Sequence, residues 1–158
     1  MRFRIIVAVV LLSSTTGFAG ELSSFNGVAK GKSTRQAEPV AEGHVLLNLS
    51  TVYSSFETSD PKSPFKDQTG KCWGAIEVNP PNANGGGNCV FTTASGDKHF
   101  NKWTVTGLSK DGASVGNWVV IGGTGKYEGA SGGGTFQALT DQKTGETSNT
   151  VEGAVILK

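Results

Sequence analysis

Histidine occurs twice in 158 residues, cysteine twice and methionine once, and these scarcities exclude much chemistry. Two histidines, His44 and His99, cannot supply a His-Glu metal motif, and the chain also lacks a nucleophile elbow and paired carboxylates at a recognisable spacing. No metal site is expected, and neither zinc catalysis nor a hydrolytic triad. Long apolar runs are missing as well. The longest, Ile5 to Leu12, falls far below the roughly 20 residues a membrane helix needs, so no membrane span is expected. Charge of one sign is also absent, with 14 Lys and Arg against 13 Asp and Glu.

What is present begins with MRFRIIVAVVLLSSTTGFAG. Two arginines precede a short apolar run and then small residues, the pattern of a secretory signal. The sequence divides into a signal at 1–19, an N-terminal extension or first strand at 20–42, and a main domain at 43–158. Without Arg2 and Arg4 the 14 basic residues become 12 against 13 acidic ones, a net charge of −1. That balance gives no electrostatic case for nucleic acid or an anionic membrane. Export, to the periplasm or beyond, would carry Cys72 and Cys89 into an oxidising compartment, where two cysteines without a histidine cluster predict a disulfide.

The mature chain has no amphipathic helical pattern and many short alternating runs. HVLLNLSTVY, residues 44–53, sets Val45, Leu47, Leu49, Thr51 and Tyr53 on one face. Further runs are CWGAIEV from Cys72, CVFTTA from Cys89, KHFNKWTVT from Lys98, NWVVI from Asn117, TFQAL from Thr135 and TVEGAVIL from Thr150. With Phe25 to Lys30 as a first strand, the count is about eight. Ser95-Gly96-Asp97, Asp111-Gly112 and Asp141 to Thr147 carry hairpin-turn chemistry, and none of these links is long enough for a parallel crossover. Three segments read as irregular: Ser33 to Gly43, the Pro-rich and charged Ser59 to Gly70, and NPPNANGGGN at 79–88. The glycines, 23 in all, favour an eight-stranded antiparallel up-and-down barrel over a sandwich.

GGTGKYEGASGGG at 122–134 invites a phosphate-binding interpretation, but the spacing refuses it. A P-loop needs glycine where Val120 stands and Ser or Thr where Tyr127 stands, and a dinucleotide fingerprint needs glycine at Glu128. No nucleotide cofactor is expected, nor any other. The longer stretch WVVIGGTGKYEGASGGGTF, Trp118 to Phe136, instead resembles the signature of the allene oxide cyclase and dirigent barrel superfamily. NCVFTTASGDKHFNKW, Asn88 to Trp103, is similar to small exported bacterial proteins of that barrel type. The resemblance covers roughly Gly43 to Lys158 and implies a calycin-like eight-stranded barrel that often oligomerises. It also implies that Gly122, Gly123, Thr124, Gly125 and Lys126 make a tight structural turn, with Tyr127 packing over one barrel end. Plant members use acidic, Asn, Tyr or Arg side chains inside the barrel, and no such set maps onto this chain.

Alternation assigns the remaining candidates. A Cys72–Cys89 bridge puts Gly74, Ile76, Val78, Phe91 and Thr93 on the interior face and turns Glu77 outward with Trp73. His99, Asn101, Trp103 and Val105 share an interior face, with His99 and Asn101 toward a mouth where they could orient a ligand. The plainer alternative makes His99 a strand-end residue near solvent and Asn101 a residue capping a bulge. Tyr53 and Tyr127 are core or lid aromatics, or lumen polar groups. The leading expectation is an exported barrel that holds a small, largely apolar molecule in its lumen or mouth, or assembles through its outer face. The alternatives are an isomerase, cyclase or coupling-directing protein using Tyr53, His99, Asn101 and Tyr127, or a structural or host-facing interaction protein using loops 59–70 and 79–88.

Overall fold

The alternating runs become strands that pair in chain order. The computed structural model describes residues 20–158, so the export signal expected at 1–19 lies outside the described residues. The strands are β1 (Glu21–Ala41), β2 (His44–Glu57), β3 (Thr69–Asn79), β4 (Asn82–Thr92), β5 (Lys98–Leu108), β6 (Ser114–Gly123), β7 (Ser131–Thr140) and β8 (Glu146–Leu157). Each pairs antiparallel with the next, and β8 returns to β1 from Glu21↔Leu157 to Lys32↔Glu146, closing an eight-stranded barrel. Closure removes the free edges that an open sheet would expose. No helix among the described residues is long and apolar enough to cross a membrane.

Up-and-down order makes the two rims unlike. One rim collects the short turns after β1, β3, β5 and β7, and is here called the mouth. The other collects both ends of the described chain and the connections after β2, β4 and β6, and is called the floor. The Ser95 to Asp97 turn thus lies at the floor. The turns at Asp111-Gly112 and Asp141 to Glu146 lie at the mouth, with Gly96, Gly112 and Gly145 at positive φ as hairpin chemistry requires.

Three sequence expectations are corrected. Ser33 to Gly43 is not loose, because β1 continues to Ala41 and pairs with β2 up to Ala41↔His44. Its polar alternation misleads because this part of the strand lines the mouth. β1 is therefore the first strand of the barrel and the one that closes it, outside the 43–158 span of the resemblance. NPPNANGGGN is not a mobile tip or a wide turn, since only Pro80-Pro81 separate β3 from β4 and the glycines are strand. Gly87 faces Gly74 in register, and a Cβ on either would come 2.5 Å from the Trp103 ring. The two glycines make room for that indole.

The third correction concerns residues 58–68, the β2–β3 connection, which is not the exposed loop its prolines and charges suggest. Ser63, Pro64, Phe65 and Gln68 are buried while Asp60, Lys62, Lys66 and Asp67 stay exposed. The segment folds as a plug over the floor, knitted by Ser63 N–H to Asp60 O at 3.1 Å and Lys66 N–H to Ser63 O at 3.1 Å. At the floor end of β2 an extra residue, Ser54, lets both Tyr53 and Phe56 point inward.

Candidate functional site

The inward faces enclose a cavity of about 630 Å³ that reaches from the mouth to the plug. All five β2 residues read onto one face, Val45, Leu47, Leu49, Thr51 and Tyr53, line it, as do Cys72, Ile76, Val78, Cys89 and Phe91. Exposed Ala37 and Gly112 mark where it opens. The Cys72–Cys89 disulfide is present, between residues directly opposite in register on β3 and β4. Glu77 faces away from the lumen, 2.8 Å from His44 Nε2 on the outer surface, and Trp73 is exposed beside it.

The floor is aromatic. Phe65 of the plug is 2 % exposed, with its ring centroid 4.2 Å from Phe25, 4.9 Å from His99 and 5.9 Å from Tyr127. The glycine turn clasps this plug from outside. Tyr127 Oη donates to the Pro64 carbonyl, and Lys126 Nζ donates to the same oxygen at 3.1 Å. Thr124 anchors the turn by exchanging bonds with Lys98, N–H to O at 2.7 Å and Oγ1 from N–H at 3.0 Å. At Gly125, φ is +56°, a left-handed backbone conformation that favours glycine. The turn packs against the plug, and Tyr127 sits under the floor without lining the cavity.

Of the other candidates, Tyr53, His99, Asn101 and Trp103 all line the lumen. His99 is not near solvent but 1 % exposed. Its Nδ1 lies 3.0 Å from Asn101 Oδ1 and its Nε2 lies 2.7 Å from Gln68 Oε1. Asn101 does flank a bulge, at the register shift after Phe100. Phe91 stacks between His99, 5.0 Å away, and Tyr53, 6.0 Å away. Burial pushes the Tyr53 hydroxyl up to about 12, opposed by the hydrogen bond from Asn149. Burial, with Asp97 adding to it, also raises Tyr127.

Burial lowers His99 to about 4, against the hydrogen bond to Asn101 Oδ1 and with the help of Lys126. A neutral ring carries one N–H, so one of the two flanking amides must turn its NH₂ toward the ring. The sign of the pH dependence follows. Unfolded histidine takes a proton near 6.5 and the folded one only near 4, so stability is complete above pH 6.5 and falls as pH drops toward 4. The expected loss between pH 6.5 and 5 is about 2 kcal/mol. Urea unfolding of wild type against His99→Gln isolates it, because the variant should lack that slope. Identical slopes would mean that the flanking amides turn to accept the proton.

Sequence reasoning missed several lining residues. Ser33 Oγ lies 2.6 Å from Thr51 Oγ1 and 2.7 Å from Thr147 Oγ1, and Thr140 Oγ1 lies 2.9 Å from Thr147. Asn149 Nδ2 donates to Tyr53 Oη at 3.3 Å. Arg35, also lining, donates from Nη2 to the Gln142 carbonyl at 3.1 Å. The signal for Ser33 and Arg35 was the continued alternation of β1. For Thr147 and Asn149 it was extension of the last run by two pairs of residues. Phe65 left no local signal.

No protein-family model matches the chain, and no curated protein matches it in sequence. Solved structures do match. The pterocarpan synthase dirigent protein GePTS1 superposes with a TM-score of 0.54 at 15 % identity, covering 96 % of this chain and 99 % of its own. The pterocarpan synthase dirigent protein PsPTS1 gives 0.54 at 11 % identity, covering 88 % and 97 %. The barrel is thus dirigent-like in fold, as the glycine-turn resemblance implied.

Proposed function

We propose that the protein binds one small, largely apolar molecule in the barrel lumen. The observation that carries this is the cavity of about 630 Å³, walled by aliphatic and aromatic side chains, plugged at the floor and open at the mouth. Small-molecule sites typically enclose about 300–1,000 Å³ with a few placed polar groups. Two such groups are at hand. Trp103 Nε1 and Asn149 Oδ1 are buried without a protein partner, and both residues line the cavity. Buried polar atoms are normally paired, so the indole N–H is a place for a ligand oxygen to accept a hydrogen bond and the amide oxygen a place for a ligand hydroxyl to donate one. Export, read from the first 19 residues, and the Cys72–Cys89 disulfide support action outside the reducing cytosol.

The neutral fluorophore N-phenyl-1-naphthylamine tests the lumen directly. It should bind with enhanced emission, quench Trp103 and Trp118, and raise Tm, since a ligand at a hundredfold excess over its Kd stabilises by about 2.7 kcal/mol. Leu49→Trp, which fills the middle of the lumen, should abolish uptake while the barrel stays folded. Uptake undiminished in that variant would place the probe on the outer surface and end the proposal.

A second reading, in which the cavity orients a reactive substrate for coupling or cyclisation, is supported by the fold shared with two dirigent proteins. Orientation alone can supply much of the catalysis for such a substrate. Tyr53 with Asn149 would be the positioning pair. His99 is the weaker candidate, because a base lowered to about 4 accepts a proton poorly at neutral pH. An interaction-protein reading would rest on the exposed Asp60, Lys62, Lys66 and Asp67 of the plug and on the 79–88 hairpin.

A further inference from the structure

Away from the mouth, the outer wall of β3 to β6 carries positive charge only. These strands hold Lys71, Lys98 and Lys102, all exposed, against a single carboxylate, Glu77, which lies toward the mouth and is engaged with His44. None of the three lysines forms an ion pair among the described residues. Register places Ser50, Trp73, Asn88, Lys102 and Val119 side by side, one on each of β2 to β6, with Lys71 nearer the floor beside Val52. Four strand spacings make this row about 19 Å long. Trp73 is 43 % exposed whereas Trp103 and Trp118 are buried, and its indole lies outside the core.

We propose that this wall binds an acidic polysaccharide of the uronate class, a chain with one carboxylate on each sugar ring, laid across the strands along the Trp73 row. Shape is the first reason. Small molecules need a concave site, and none of these side chains lines the lumen, so the row suits an extended ligand. The second reason is chemistry. The indole offers a flat apolar surface to the CH face of a sugar ring, Ser50 and Asn88 offer a hydroxyl and an amide to sugar hydroxyls, and Lys71 and Lys102 offer ammonium groups to carboxylates. Lysines spread among apolar and amide side chains match one charge per ring, not the denser charge of nucleic acid, whose binders cluster their cations. A bilayer favours an unbroken apolar face, which Ser50 and Asn88 interrupt. Two copies joined through this wall about a twofold axis would set lysine against lysine.

Hexagalacturonate and its full methyl ester, equal in length and different in charge, separate recognition by cations from stacking. Titrated calorimetrically into the purified protein at neutral pH and low salt, the acid should bind about tenfold more tightly than the ester. Lys71→Gln combined with Lys102→Gln should weaken the acid about fivefold to thirtyfold, leave the ester within about twofold and keep the wild-type Tm. Trp73→Ala should weaken both ligands about tenfold. Rising salt should weaken the acid alone. Bound saccharide should also shield Trp73 from quenching by acrylamide. No binding of hexagalacturonate, equal affinity for acid and ester, affinity indifferent to the lysine pair or to Trp73→Ala, or an unshielded Trp73 would each overturn the proposal. So would tighter binding to phosphatidylglycerol vesicles or poly(dT) than to hexagalacturonate, or a self-associated protein that Trp73→Ala returns to a monomer. The lumen reading rests on other residues and survives each of these results.

Discussion

Phe65→Ala should destabilise the barrel by about 3–5 kcal/mol, the cost of removing a fully buried aromatic ring from a site that cannot collapse. Phe65 is 2 % exposed and meets Phe25, Phe56, His99, Trp118 and Tyr127, contributed by β1, β2, β5, β6 and the glycine turn. Those partners are fixed by strand pairing and cannot close in. The substitution would therefore leave a void between plug and lumen and strip the His99 ring of one wall. Urea denaturation monitored by far-UV circular dichroism gives the difference. Phe65→Leu, which keeps most of the volume, should lose considerably less. The same Phe65→Ala variant should bind N-phenyl-1-naphthylamine more weakly, because its lumen is no longer closed below. A loss under about 1 kcal/mol would show that the plug merely rests on the floor and that the barrel packs without it.

The second large effect concerns the disulfide. Replacing Cys72 and Cys89 together by alanine should cost about 3 kcal/mol, from the extra freedom of the unfolded chain when a link spanning 17 positions is removed. Alanine is preferred to serine because both positions line the apolar lumen, where two new hydroxyls would add a burial penalty of their own. The variant should nevertheless keep its β spectrum at 25 °C. Strands β3 and β4 remain paired from Thr69↔Thr92 to Asn79↔Asn82, and the ring of strands closes independently of the bridge. Alkylation and mass measurement before and after reduction should find no free thiol until reductant is added. Loss of all β signal in the alanine pair would mean that the apolar faces cannot hold the barrel without the link.

Period-two alternation made the strands and their interior faces legible. Val45 to Tyr53 on β2 and His99 to Val105 on β5 face the lumen because successive side chains in a strand must point to opposite sides. The cysteine pair carried register with it, and so placed Glu77 outside. Alternation fails where the interior becomes wet. Ser33 and Arg35 look like loop residues because the mouth of an open barrel tolerates polar side chains, and their strand-like period carries no apolar mark. It fails again where a partner strand supplies the reason for a residue, as with Gly87, which reads as part of an irregular segment until Trp103 is seen to occupy the space that it and Gly74 leave.

The sequence alone determined that this chain folds as an antiparallel barrel with a bridged pair of strands, since hydrophobic period, turn residues and cysteine count are all local quantities. Tertiary structure decided what the barrel can hold. Whether the inward faces meet or leave a cavity depends on ring closure, and whether a charged, Pro-rich link is solvated or buried depends on one phenylalanine finding five aromatic neighbours contributed by distant parts of the chain. The gathering of Trp73, Asn88 and Lys102 into one outer row, likewise, is a property of strand register, which no spacing along the chain encodes.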